Sequence, residues 1–180
     1  SVYRSMGPFR WLSDQFWCET KTIVMKIKVI GIGKSAPAFI AEGVQHYSQK
    51  IKHFCEYEWL ELVPKKKSEQ AEQSKKIDAE IILTHLESSD FVILLDERGK
   101  AFESSYDFSE FINKKQINGR KRIVFIIGGS FGFDQMVYDR ADEKISLASM
   151  TYTHQMIRLI FLEQLYRGYA ILNHLPYHHE

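Results

Sequence analysis

Residues 122–132 read RIVFIIGGSFG. The run from Ile123 to Ile127 is apolar throughout and breaks off at Gly128-Gly129, with a third glycine at Gly132. A short unbroken apolar run fits a strand covered on both faces, as central strands of parallel sheets are. FVILL at 91–95 is a second run of this kind. The glycines pose a separate question. They can form a turn, because glycine tolerates positive φ. They can also leave clearance for a ligand, because open α/β sheets bind ligands outside the carboxyl ends of their strands.

Outward from this strand the pattern alternates. Lys26–Ile32 predicts a strand. Pro37 opens a helix whose inner face carries Ile40, Val44, Tyr47, Ile51 and Phe54 at helical spacing. Tyr57–Val63 predicts the next strand, closed by Pro64. Lys65–Ser88 reads as a loop leading into a helix, with Ile77, Ile81 and Ile82 as its thin apolar side. Ser105–Ile117 predicts a helix with Phe108, Phe111 and Ile112 inward. A short helix at 133–140, a short strand at 144–147 and a long apolar helix over Tyr152–Leu172 complete the chain. Strands alternating with helices imply parallel pairing and an α/β fold. With no internal repeat and no low-complexity linker, one domain over 25–180 is expected.

A chain of 180 residues with 44% apolar and 26% charged residues has room for a substantial core. A net charge of +1 excludes a polycation. No apolar run approaches the roughly 20 residues of a membrane-spanning helix. Cys18 and Cys55 suit neither a disulfide framework nor a metal site, and the histidines lack HExxH or CxxC company. No metal and a reducing, cytoplasmic setting are therefore expected. Residues 1–24 have no clear period and no signal-type apolar stretch, and Asp14 and Glu19 argue against a transit peptide. They are expected to be an expression or start-site artefact, with the native protein beginning at Met25.

Two glycine loops compete for a ligand. GIGKSA at 31–36 matches the G-x-G-x-x-A dinucleotide fingerprint. However, Pro37 follows at once, and the second strand ends on Pro64-Lys65-Lys66-Lys67 where an acidic ribose clamp belongs. A nucleotide-binding redox module would rest on this loop alone. The 128–132 loop is not a P-loop, since no Gly-Lys-Ser/Thr follows. Together with the strand-end loops Leu95–Lys100 and Leu147–Tyr152, it can enclose an uncharged, apolar-edged group such as an adenine.

LDERGK, FIIGGSFG and SLASMTYTHQMIRLIFLEQLYRGYAI, followed by a terminal PYHHE, stand in an order and spacing that resemble the RlmH (YbeA) family from Met25 to Glu180. That family comprises bacterial 23S rRNA (pseudouridine-N3)-methyltransferases of the SPOUT class. The resemblance implies a parallel-sheet SPOUT fold with a C-terminal trefoil knot, a homodimer, and S-adenosyl-L-methionine as methyl donor. It also implies a target: a pseudouridine in helix 69 of the large-subunit RNA, in the assembled ribosome. Periodicity cannot reveal a knot, since knots are rare exceptions. Carried over by motif, the cofactor contacts are Leu95, Gly128, Leu147, Ala148, Ser149, Met150, Thr151 and Tyr152. The substrate contacts are His154, Arg158, Tyr177 and His178, with Arg158 and His178 as catalytic candidates. A non-catalytic RNA-binding protein on the same fold is the third reading.

An imide nitrogen carries a proton that must leave before or during methyl transfer, so a base or a stabilising cation is required. His154 and Arg158 lie four apart and share one face at the start of the last helix. They read either as a cap and a solvated cation, or as ligands, with Arg158 on an RNA phosphate or the cofactor carboxylate. Glu163 and Arg167 read as an i,i+4 ion pair. The clusters Lys65-Lys66-Lys67, Lys75-Lys76, Lys114-Lys115 and Arg120-Lys121-Arg122 are either solvated faces or phosphate contacts. MIRLIFLEQLY is apolar nearly all round, which implies burial or an interface.

Overall fold

The computed structural model describes residues 25–66, 68–119 and 121–177. The strands are β1 (Lys26–Ile32), β2 (Glu56–Leu62), β3 (Phe91–Ala101), β4 (Arg122–Ile127) and β5 (Glu143–Ser146). The helices are α1 (Ala38–Ile51), α2 (Ala71–Leu83), α3 (Ser105–Ile117), α4 (Gln135–Arg140) and α5 (Met156–Leu172). The strands form one all-parallel sheet in the order β2-β1-β4-β3-β5. The apolar run that opened the reading is therefore the middle strand.

Side chains alternate between two covered faces, as the pleat requires. Ile27, Val29, Ile93, Ile123, Phe125 and Ile145 enter one core, which α1, α3 and α5 cover. Ile30, Val92, Leu94, Val124 and Ile126 enter the other, under α2 and α4. Connections stepping toward β2 run over the first face and those stepping toward β5 run over the second. All crossovers thus share one hand, as the right-handed rule demands. Ser104 and Asp134 cap α3 and α4, accepting from the backbone N–H of Asp107 at 3.2 Å and of Met136 at 2.9 Å.

The apolar surplus of α5 has a local explanation. The helix packs against both α1 and α3, and Phe161, Leu162, Leu165 and Tyr169 are fully or almost fully buried. Phe161 sits 4.9 Å from Phe125, ring centroid to centroid. It belongs to the core, where truncation of a phenylalanine to alanine costs about 3–5 kcal/mol. The expected Glu163–Arg167 pair forms, with Arg167 Nε donating to Glu163 Oε1 at 2.9 Å.

Several boundaries shift by one or two residues from expectation, and two further differences matter for the site. The third strand does not end at Leu95. It bulges over 96–99 and rejoins β5, so that Leu95 and Lys100 both pair with Ile145. The last helix begins at Met156 rather than Tyr152, because residues 152–153 are irregular and 154–155 form a turn before it. Among the described residues, no helix is long and apolar enough to cross a membrane.

Candidate active site

The register aligns Leu95, Ile127 and Gly31 across β3, β4 and β1, so the carboxyl ends of the strands form one edge. A cleft of about 930 Å³ opens there, within the roughly 300–1,000 Å³ of small-molecule sites. Three stretches wall it: Leu95–Arg98 from the β3 bulge, Ile127–Gln135 after β4, and most of Ile145–His154 after β5. Glu72 and Lys75 of α2 and Tyr138 of α4 close the far side. Its lining includes the apolar residues Leu95, Ile127, Ile145, Leu147 and Ile157 together with charged ones.

Each glycine of the opening stretch has its own reason. Residues 129–132 form a tight turn in which the N–H of Gly132 donates to Gly129 O at 3.2 Å, and Gly132 takes φ +78°. An L side chain would be strained there. A Cβ on Gly128 would lie 3.2 Å from Phe133 Cζ, and one on Gly129 would lie 3.0 Å from Asp78 Oδ2. What comes close to this backbone from within the chain is thus the Phe133 ring and a carboxylate of α2.

A polar cluster on the lining centres on Asp96. Arg98 donates to it through Nε at 3.1 Å and Nη2 at 3.2 Å, and the Tyr138 hydroxyl also donates to it. Burial works against ionisation of Asp96, but these hydrogen bonds outweigh it and bring its pKa down to about 2. Burial and the neighbouring Asp96 push Tyr138 up to about 12. Lys75 faces Glu72 at 2.6 Å.

Also on the lining, His154 Nδ1 and Ser130 Oγ are 3.2 Å apart, a hydrogen bond that joins the β4 and β5 loops. Burial, and then the charge of Arg158, lower the pKa of His154. Its imidazole is therefore neutral at pH 7 and able to accept a proton.

Of the residues singled out in the sequence, Leu95, Gly128, Leu147, Ala148, Met150, Thr151, Tyr152 and His154 all line this cleft. Ser149 is exposed on the same loop without lining it. Arg158 is not on the wall. It is wholly buried, whereas the sequence suggests a solvated cation or a ligand of an RNA phosphate or the cofactor carboxylate. Its guanidinium donates to the backbone oxygens of Ile32, Gly33 and His154 and to Ser35 Oγ. Tyr177 lies beyond the other end of α5, with its hydroxyl 3.4 Å from that of Tyr47 and its ring 4.6 Å from that of Tyr166. His178 lies outside the described residues, as do the 1–24 leader, Lys67 and Arg120.

Asp96, Arg98, Tyr138 and Phe133 had been given no role. LDERGK held the first two in plain view, but no local signal links Asp96 to Tyr138, which is 42 residues away. Three members of the basic clusters are engaged within the chain. Besides Lys75, Lys115 pairs with Glu143, and Arg122 pairs with Asp90 and Glu87.

A doubly covered parallel sheet with a cleft between its strand-end loops defines an α/β protein whose carboxyl edge has the form of a small-molecule site. Residues 25–178 match the family model described as predicted SPOUT methyltransferase, and the chain belongs to that family. It is 47% identical over 158 residues to the ribosomal RNA large subunit methyltransferase H of Christiangramia forsetii, covering 86% of this chain and 99% of that relative. The protein of the same name from Parabacteroides distasonis is 45% identical over 160 residues, covering 87% of this chain and 100% of that relative. The Bacteroides fragilis counterpart is 45% identical over 159 residues, with the same coverage.

Proposed function

We propose that this chain is an S-adenosyl-L-methionine-dependent methyltransferase of large-subunit ribosomal RNA. Its target is N3 of a pseudouridine in helix 69 of the 23S rRNA, in the assembled ribosome. The observation that carries this reading is the cleft between the strand-end loops, lined by both apolar and charged residues, which suits a nucleoside joined to an amino acid. The names of the full-length relatives support the class of RNA. Leu95, Gly128 and the Leu147–Tyr152 loop would hold the cofactor, which when bound supplies an electrophilic methyl group on a sulfonium. The remaining work belongs to the chain. Apolar residues exclude water, the loops align acceptor and donor, and His154 takes the imide proton. The same reading carries a trefoil knot between β4 and α5, a cytoplasmic location, and a homodimer in which the Tyr177–His178 tail of one protomer reaches the cleft of the other.

The rival redox reading of GIGKSA finds two of its donors already engaged. The N–H groups of Ser35 and Ala36, which a pyrophosphate would need, already donate at 3.0 Å to Glu61 Oε1 and to Gln155 Oε1.

Tritiated methyl transfer to assembled ribosomes, isolated large subunits and free 23S RNA, all from cells lacking the endogenous enzyme, tests the proposal. Assembled ribosomes are expected to label best. Equal labelling of deproteinised RNA defeats the ribosome claim, and absence of labelling throughout defeats the reaction. The pH profile examines His154. A histidine with a lowered pKa is deprotonated above that value, so kcat should rise with pH along an acid limb below about 6.5, the ordinary histidine value. His154→Ala should lower kcat by about 10²–10⁴-fold and remove that limb. A retained limb assigns the proton to another group.

The dimer is tested on the exposed side of α5. Ile160 is half-buried and stands outside the core cluster, unlike Phe161. Ile160→Asp is expected to give a folded monomer in light scattering at micromolar concentration, with activity lost. A parent protein that is itself monomeric refutes the dimer.

A further inference from the structure

GIGKSA is the one motif of the sequence that the proposed reaction leaves unused, and Arg158 is the one cationic residue with no exposed surface among the described residues. They meet each other. Besides the carbonyls of Ile32 and Gly33 and the Ser35 hydroxyl on the β1 loop, Arg158 reaches His154 O at 3.1 Å through Nε. The glycines make the room: a Cβ on Gly31 would lie 3.1 Å from Trp59 and 3.5 Å from Arg158 Cζ. Above the arginine, Gln155 binds the same loop with both ends of its side-chain amide. Oε1 accepts from Ala36 N–H at 3.0 Å, and Nε2 donates to Lys34 O at 2.9 Å. This is the pattern of a paired peptide, made across 119 and 121 residues of sequence. On its other side the loop is held by β2. Gly33 N–H donates to Leu62 O at 2.8 Å, and Ser35 N–H donates to Glu61, which also accepts from Trp59 Nε1 at 3.3 Å.

The held segment matters because of what adjoins it. Gln155 follows His154 directly, and Thr153 receives the first N–H groups of α5, from Met156 on Oγ1 at 3.2 Å and from Ile157 on its carbonyl at 3.0 Å. The bend at 153–155 is thus fixed between the start of α5 and the β1 loop, and His154 projects from it into the cleft.

We infer that the Gly33–Ala36 loop is an internal brace and that Gln155 is a positioning residue, tying the brace to the bend that aims His154. Gln155 touches neither cofactor nor substrate in this scheme; it acts through the imidazole. A glycine loop that resembles a phosphate cradle has its backbone groups turned to the protein's own helix start. The kinetic part of this inference rests on the methyl-transfer reading, whereas the geometric part does not.

The test uses the full chain carrying Gln155→Met, which keeps length and loses both hydrogen bonds. The His154 ring resonances in ligand-free protein are expected to shift or broaden. kcat on ribosomes should fall about ten-fold, while KM and the S-adenosylhomocysteine Kd stay within about two-fold, because misaligned proton transfer is lost at the chemical step. Gln155→Glu retains the acceptor for Ala36 and discards the donor to Lys34, and its kcat should be intermediate. Parental His154 resonances together with parental kcat overturn the inference. So does a kcat deficit that vanishes when both proteins are assayed equally far below their melting temperatures, since that would mark a merely structural tie. A shifted His154 signal in a protein whose parent methylates no RNA leaves the brace standing and removes the functional reading instead.

Discussion

Gly128→Val is expected to reduce S-adenosylhomocysteine binding at least about a hundred-fold, close to 3 kcal/mol, while the circular dichroism spectrum remains that of the parent. A Cβ at 128 already lies 3.2 Å and 3.3 Å from two atoms of the Phe133 ring, and valine adds two further carbons. The ring has little freedom to retreat, being buried and set edge-on to Tyr138 at 5.8 Å. Either the ring or the new methyl groups must then enter the cleft that both residues line. Isothermal calorimetry separates the two routes. In Gly128→Val/Phe133→Leu the ring is gone, and binding is expected to stay lost because the methyl groups obstruct the ligand directly. Recovery in the double variant would assign the glycine to ring packing, and undiminished binding in the single variant would remove this loop from the cofactor site.

Gly99→Ala should destabilise the fold by about 3 kcal/mol, which lowers the melting temperature by roughly 6–12 °C for a chain of this size. The built Cβ would lie 2.5 Å from the backbone nitrogen of Ile145 and 2.6 Å from its carbonyl carbon. A side chain can swing aside, but a paired strand cannot. The alanine must push β5 off the end of β3, where Lys100 and Ala101 pair with Ile145 and Ser146. Because the same bulge carries Asp96 and Arg98 into the cleft, ligand affinity should fall with stability. A melting temperature within about 1 °C of the parent, by differential scanning calorimetry, would contradict this crossing.

The sheet was legible because parallel strands buried on both faces leave a local mark. FVILL and RIVFII needed no partner to be recognised, and their order among helices set the fold class. The cleft was legible in part, since LDERGK, the glycine turn and the 147–152 loop follow directly from strands and so must gather at one edge. Arg158 was misread because helical spacing shows which residues share a face and nothing of what that face meets. The long apolar helix was ambiguous for the same reason. Burial against α1 and α3 and burial against a second protomer write the same pattern into one helix.

By itself, then, the amino-acid sequence determined the elements, the α/β class and the family, because these depend on periodicity and on motif order along the chain. Tertiary structure alone decided which distant polar groups met. Asp96 and Tyr138, Gln155 and the Lys34–Ala36 loop, and Arg158 and the end of β1 are pairs separated by 42 to 126 residues. A buried polar group takes whatever partner the fold brings within about 3 Å, and it must take one, because leaving it unpaired costs more than the hydrogen bond yields.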